Sequence, residues 1–269
     1  MKLSKIHLQK QKITEDNILE AIHSCYNDRC FSTFPYITYK LTSSEKAMNQ
    51  YNSGNCIALS IYVQKYLKSN YHVKSYIVTA SVPKRYQIDG QPHICHVALL
   101  IPITPTSFYI IDCPFYFLKP MYCDLEKNEM RKIEGMNIHE KKRETIHYKL
   151  QNAKELKGIV LPKSVECVCY YESDLNDTWS YYTNQTLNPD EDIGKFFMQL
   201  KPQPFLCYTK VEKNGDITKV YHLKIDDDSN LIFIHHGTEI YKGPIDKIPK
   251  KIEAMIKKDL FPFLNNFIV

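Results

Sequence analysis

His96-Val97-Ala98-Leu99-Leu100-Ile101-Pro102 is followed, after Ile103-Thr104-Pro105-Thr106, by Ser107-Phe108-Tyr109-Ile110-Ile111-Asp112. Each run is short, continuous and apolar, the pattern of a strand covered on both faces. Pro102 has no N–H to give a ladder and ends the first run. The Pro/Thr-rich link is short enough to make the two strands neighbours, which sets His96 and Asp112 side by side.

Forty residues earlier stands Tyr51-Asn52-Ser53-Gly54-Asn55-Cys56-Ile57-Ala58-Leu59-Ser60. Its Asn-Ser-Gly-Asn is turn-forming, and Cys56 opens a segment of helical period in which Cys56, Ser60, Val63 and Leu67 share one face. Unpaired N–H groups and the positive end of the dipole at a helix start favour the thiolate of a cysteine placed there, the reactive form. Cys56, His96 and Asp112 therefore read as a nucleophile, its base and the group that orients the base. A chain with nine Cys and ten His contains such residue types in any case. What singles out these three is position: a helix start and two successive strands.

The pattern resembles the arylamine N-acetyltransferases and the wider transglutaminase-like cysteine enzymes, in which Cys, His and Asp come in this order. His96-Val97-Ala98-Leu99-Leu100-Ile101 is similar to the acetyltransferase strand His-x-x-Leu-Leu-Val, and Tyr109-Ile110-Ile111-Asp112-Cys113-Pro114-Phe115 to Tyr-Leu-Val-Asp-Val-Gly-Phe. Phe34-Pro35-Tyr36 faintly resembles their Pro-Phe-Glu-Asn. At the nucleophile those enzymes carry Arg-Gly-Gly-x-Cys, where this chain has Asn52-Ser53-Gly54-Asn55-Cys56, without the Arg and with one Gly of the pair. Gly54-Asn55-Cys56 is closer to the Gly-Asp-Cys or Gly-x-Cys of transglutaminase-like proteins.

The resemblance implies an α+β fold: a papain-like or transglutaminase-like core with N-terminal helices, an antiparallel β-sheet or barrel, and a strand-rich C-terminal region. It implies a cysteine-dependent acyltransferase working through a thioester on Cys56, with His96 as base and Asp112 orienting it. Because the family strand begins at His96, that residue is preferred to His93, which is placed on the rim. No permanently bound cofactor is expected. Acetyl-coenzyme A is the acyl donor the acetyltransferase likeness implies, and no residue is matched to a coenzyme site. The acceptor expected is a small-molecule amine or a peptide. A peptidase or amidase using the same three residues, and a catalytically decayed interaction module, are the alternative readings.

The rest of the chain bounds these readings. Lys and Arg exceed Asp and Glu by 35 to 30, in mixed runs such as Lys141-Lys142-Arg143-Glu144, which do not indicate a nucleic-acid surface, and no nucleic-acid partner is expected. The cysteines are odd in number, and Met1-Lys2-Leu3-Ser4-Lys5-Ile6-His7 lacks the apolar core of a secretory signal. Free thiols and a cytoplasmic location are expected. No window approaches the roughly 20 apolar residues of a membrane span, so no membrane partner is expected. Cys25 with Cys30, and Cys167 with Cys169, lack ligand-pair spacing, so no metal is expected. His235-His236-Gly237 and Asp226-Asp227-Asp228 read as solvated loop ends.

Along the chain, Thr14 is placed as the cap of a helix with Ile18, Leu19 and Ile22 as its apolar stripe. A strand is expected at 73–80 beside those at 96–101 and 108–112. Residues 1–125 are assigned to helices plus the catalytic strands. Residues 126–157, dense in charge, read as a connecting loop or exposed helix, and 158–269 as strand-rich with a terminal helix at 248–260. In that last part, strands are expected at 159–161 and 165–170, then a polar loop through Asp190. Asn214-Gly215 marks a tight hairpin, and 231–235 and 239–241 are further strands.

Overall fold

The computed structural model describes residues 12–87, 94–115, 117–127, 129–137, 142–152, 167–173, 178–187 and 203–264. Its elements run α1 (Glu15–Asp28), β1 (Cys30–Ser32), α2 (Phe34–Ile37), α3 (Ser44–Tyr51), β2 (Ser53–Gly54), α4 (Cys56–Tyr71), β3 (Tyr76–Ser81), β4 (His96–Pro102), β5 (Ser107–Ile111) and β6 (Met121–Asp124). They continue with β7 (Arg131–Asn137), β8 (Lys142–Asn152), β9 (Cys167–Ser173), β10 (Thr178–Thr186), β11 (Phe205–Val211), β12 (Ile217–Ile225), β13 (Asn230–His235), β14 (Thr238–Pro244), α5 (Lys250–Asp259) and α6 (Phe261–Leu264). The fold is α+β, with helices in the N-terminal part and a strand-rich C-terminal region. The contacts divide it into two units: residues 1–22, 60–136 and 143–191, and residues 23–59, 137–142 and 192–269.

The first unit holds an eight-stranded sheet in the order β6-β5-β4-β3-β10-β9-β8-β7. An antiparallel bridge from Phe117, just before β6, to Gly135 in β7 ties its two ends, so the sheet curls closed. Gly135 is required there, because a Cβ would overlap the Ile146 side chain. Alternate residues point inward: Val78 and Ala80, Ala98 and Leu100, Phe108 and Ile110, Ile146, Tyr148 and Leu150, Trp179 and Tyr181 form one core. All seven residues of β4 are buried, which is why its sequence is apolar on both faces. Thr14 caps α1, its Oγ1 accepting the N–H of Asn17 at 3.2 Å.

Two readings of the sequence are corrected here. The charged stretch from 126 is neither loop nor helix: it carries β7 and β8. Ile146, Tyr148 and Leu150 are buried at every second position of β8, and the intervening side chains are less buried. A period of two spaced by charged residues has few apolar neighbours in sequence, so it shows no apolar run. The polar loop expected up to Asp190 contains β10, which lies between β3 and β9 in the middle of the sheet. Its Thr, Trp and Tyr suit a pleated surface, and its polar Ser180, Thr183 and Asn184 are buried with them. The strand expected at 159–161 lies outside the described residues.

The second unit holds a six-stranded sheet in the order β14-β13-β12-β11-β1-β2. β11 to β14 form a meander, and the Asn214-Gly215 hairpin falls between β11 and β12 as expected. Leu206, Tyr208, Tyr221, Leu223, Leu231 and Phe233 of this sheet pack with Ile252 and Ile256 of α5, Phe263 and Leu264 of α6, and Leu260 between the two helices. Each such side chain, fully buried, contributes about 1.5–3 kcal/mol. The short β2 runs parallel to β1, pairing Cys30 with Ser53 and Phe31 with Gly54, and so fixes the backbone immediately before Cys56. Among the described residues no helix is long and apolar enough to cross a membrane.

Candidate active site

Strand register explains how the first unit assembles its polar centre. Tyr181, Ala80 and His96 lie in one row across β10, β3 and β4. Leu99 pairs with Ile111, and one step further Asp112 comes opposite Ala98, diagonal to His96 and on the same face. The two alanines leave room for larger groups to meet over them. The His96 Nε2 lies 2.9 Å from both carboxylate oxygens of Asp112, and the Tyr181 hydroxyl donates to Asp112 Oδ2 at 2.7 Å. Asp112 and Tyr181 are wholly buried and His96 is 6% exposed. A buried carboxylate is tolerated only when it is paired and hydrogen-bonded, and these partners supply that.

An aromatic cluster packs against the histidine. Phe115 meets the His96 ring edge-on at 4.9 Å, and Trp179 lies 5.4 Å from Phe115 and 6.0 Å from both Tyr86 and Phe117. Burial strengthens the hydrogen bonds between the imidazole and the carboxylate. A histidine held through one ring nitrogen by a carboxylate has its tautomer and orientation set, and can take and return a proton through the other.

In the second unit Cys56 is the first residue of α4 and half-buried. Asn55 is the cap: its Oδ1 accepts the N–H of Ala58 at 3.1 Å and its carbonyl that of Leu59 at 3.2 Å. The N–H of Asn55 is itself taken by the Tyr36 hydroxyl at 3.0 Å. Of the four N–H groups that open the helix, the structure thus pairs those of Asn55 and Ala58. Among the described residues those of Cys56 and Ile57 have no hydrogen-bond partner. They are the groups that would receive a negative oxygen at the thiol. Gly54 completes the turn, since a Cβ there would stand 2.5 Å from the Ala58 Cβ and 2.8 Å from the Tyr36 Oη.

The structure therefore brings His96 and Asp112 together and sets Cys56 at a capped helix start, each within its own unit. His93 lies outside the described residues. Cys95 is half-buried and packs against the apolar core of the sheet, and Cys113 is buried in a single turn of 3-10 helix after Asp112. Sequence reading missed two residues of this region. Tyr181 lies in the stretch that reads as a polar loop, and only its period-two setting in Trp179-Ser180-Tyr181-Tyr182-Thr183 signals an inward strand position. Tyr36 enters the sequence reading only within Phe34-Pro35-Tyr36, and nothing local to it points to the turn 19 residues on.

Helices leading into a curled antiparallel sheet, followed by a strand-rich C-terminal region, match the fold of the arylamine N-acetyltransferases. Solved members match nearly the whole chain. Arylamine N-acetyltransferase C from Bacillus anthracis is 14% identical over 94% of this chain and 93% of its own, with a TM-score of 0.57. An arylamine N-acetyltransferase from Bacillus cereus, described as having a unique Cys-His-Glu catalytic triad, is 10% identical over 95% and 94%, with a TM-score of 0.56. The Mycobacterium marinum arylamine N-acetyltransferase, solved in complex with CoA, is 13% identical over 95% and 89%, with a TM-score of 0.55. At these identities the likeness is one of fold. No protein-family model matches the sequence, and no curated protein matches it.

Proposed function

We propose that the protein is a thiol-dependent acyltransferase that takes an acetyl group from acetyl-coenzyme A onto Cys56 and passes it to an amine. The observation that carries this reading is the buried His96–Asp112 pair, whose Nε2-to-carboxylate contact at 2.9 Å fixes the imidazole for proton transfer. The fold adds support, because one of the solved proteins it resembles is a complex with CoA.

In the first half-reaction the Cys56 thiolate attacks the thioester carbonyl of the donor. The N–H groups of Cys56 and Ile57 receive the oxygen as it becomes negative. When the tetrahedral species collapses, its bond to the coenzyme sulfur breaks. The departing coenzyme thiolate takes a proton from the His96 imidazolium, and acetyl remains on Cys56 as a thioester. In the second half an amine attacks that carbonyl, His96 takes its proton, and the Cys56 sulfur leaves as thiolate. Asp112 holds Nε2 throughout, so the proton passes through Nδ1, and it offsets the positive charge of the imidazolium.

Incubation with acetyl-coenzyme A carrying a labelled acetyl group tests this directly. Peptide mapping is expected to find acetyl on Cys56, released by added arylamine. Native protein that keeps Cys56 unlabelled, with no acetylated amine formed, overturns the reading.

A further inference from the structure

We infer that Tyr36 is a positioning residue for the nucleophile: its buried hydroxyl braces the turn that aims the Cys56 thiol and the open N–H groups beside it. This rests on Cys56 being the nucleophile. Tyr36 lies on α2 and is wholly buried. Its hydroxyl accepts the N–H of Asn55 at 3.0 Å and donates to Ser44 Oγ, the first residue of α3, at 3.4 Å. One phenol therefore ties α2, α3 and the start of α4 at a single point.

The backbone is shaped around that point. Asn52 ends α3 in the left-handed conformation, φ 51°, with its N–H on the Met48 carbonyl. Ser53 and Gly54 are then held by β1, and Gly54 approaches the phenol so closely that a Cβ would meet Oη at 2.8 Å. Asn55 is locked from both sides, its N–H by Tyr36 and its side chain by Ala58. With those two donors engaged, the N–H groups of Cys56 and Ile57 are the ones that, among the described residues, the first turn offers to a reacting oxygen. A phenylalanine at 36 would fill the same space and leave the Asn55 N–H buried without an acceptor, free to swing the peptide that precedes Cys56.

Burial pushes the Tyr36 phenol well above its ordinary range. The brace is therefore uncharged at any working pH, and it adds no negative charge beside a thiolate.

The test compares native protein with Tyr36→Phe, and with Tyr208→Phe as a control that loses another hydroxyl of the same unit, one donating to the Asn27 carbonyl at 3.3 Å. Two quantities are read: the pH profile of Cys56 alkylation by iodoacetamide, and kcat and KM for acetyl transfer. Tyr36→Phe is expected to slow kcat by about ten- to a hundredfold with KM for the donor held, as misplacement of reacting groups does. It is also expected to move the alkylation midpoint to higher pH, whereas Tyr208→Phe leaves both unmoved. A folded Tyr36→Phe protein with native kcat and a native alkylation profile overturns the brace. If that variant does not fold, 3,5-difluorotyrosine placed at 36 keeps the ring and weakens the hydroxyl as an acceptor, and an unchanged Cys56 profile there overturns it equally. Alkylation needs no acyl donor, so a native Cys56 that takes no acetyl group sinks the function, and a native-like profile in the variant sinks the brace alone.

Discussion

The Nε2 of His96 stands 2.9 Å from both carboxylate oxygens of Asp112, a residue that is 0% exposed. A charge so placed has only its protein partners to replace solvent. Asp112→Asn keeps the shape, but its amide can present an N–H to Nε2 and impose the other tautomer. We expect acetyl transfer to fall by about 10²- to 10⁴-fold, in line with the same change in hydrolase triads. Steady-state kinetics alongside a thermal melt checks this; a fully active Asp112→Asn protein would contradict the role given to the pair.

Tyr181→Phe removes the hydroxyl that donates to Asp112 Oδ2 at 2.7 Å. The carboxylate then keeps one partner fewer, and stability is expected to fall by about 1–3 kcal/mol. Urea unfolding measures it, and an unchanged midpoint would mean that the bond contributes nothing net.

Ala80 and Ala98 are the small residues over which His96, Asp112 and Tyr181 meet. Ala98→Leu adds volume in a filled core and is expected to cost about 1–3 kcal/mol. Activity should fall further than stability does, because the added side chain lies beside the pair. Equal activity per folded molecule would show that the row tolerates bulk.

Among the described residues Cys56 and Cys95 are the half-buried thiols, and Cys25, Cys30, Cys113, Cys123, Cys169 and Cys207 are buried. Brief iodoacetamide treatment at mildly acidic pH is expected to modify Cys56 first, since it alone of these opens an α-helix. Peptide mass mapping reads the order. Equal labelling of Cys95 would remove the case for an activated thiol at 56.

Asp259 predicts a pH effect on the second unit. Burial works against its ionisation, but the Lys219 ammonium at 2.6 Å and the Tyr221 hydroxyl at 2.8 Å outweigh that and hold its carboxyl below the usual carboxylate range. A carboxyl depressed in the folded state stabilises fully above its unfolded value, about 3.9, and loses that contribution as pH falls through its folded value. Asp259→Asn should therefore lower the melting temperature at pH 7 and approach the native value towards pH 3. A gap that stays constant over that range would refute the assignment.

Much of the architecture was legible because it is local. The Thr14 cap, the period-3.6 stripe of α1, the turn before α4 and the Asn214-Gly215 hairpin each depend on residues within a few positions of one another. β8 and β10 were not legible, because their inward residues are separated by charged and polar ones and gain meaning only beside β9. Tyr181 is hidden for that reason, and Tyr36 because two elements, α3 and β2, separate it from its partner at Asn55.

The sequence by itself determined the α+β class and marked Cys56, His96 and Asp112, since a helix start and two apolar strands are written in neighbouring residues. Only the tertiary structure decided what holds those residues. The register of β10 against β3 brings a tyrosine to Asp112, and the packing of α2 beneath the Gly54 turn brings another to Asn55. Hydrogen bonds between residues 69 and 19 positions apart leave no periodic trace in a chain, because they are set by how strands pair and helices pack, not by the spacing of side chains along them.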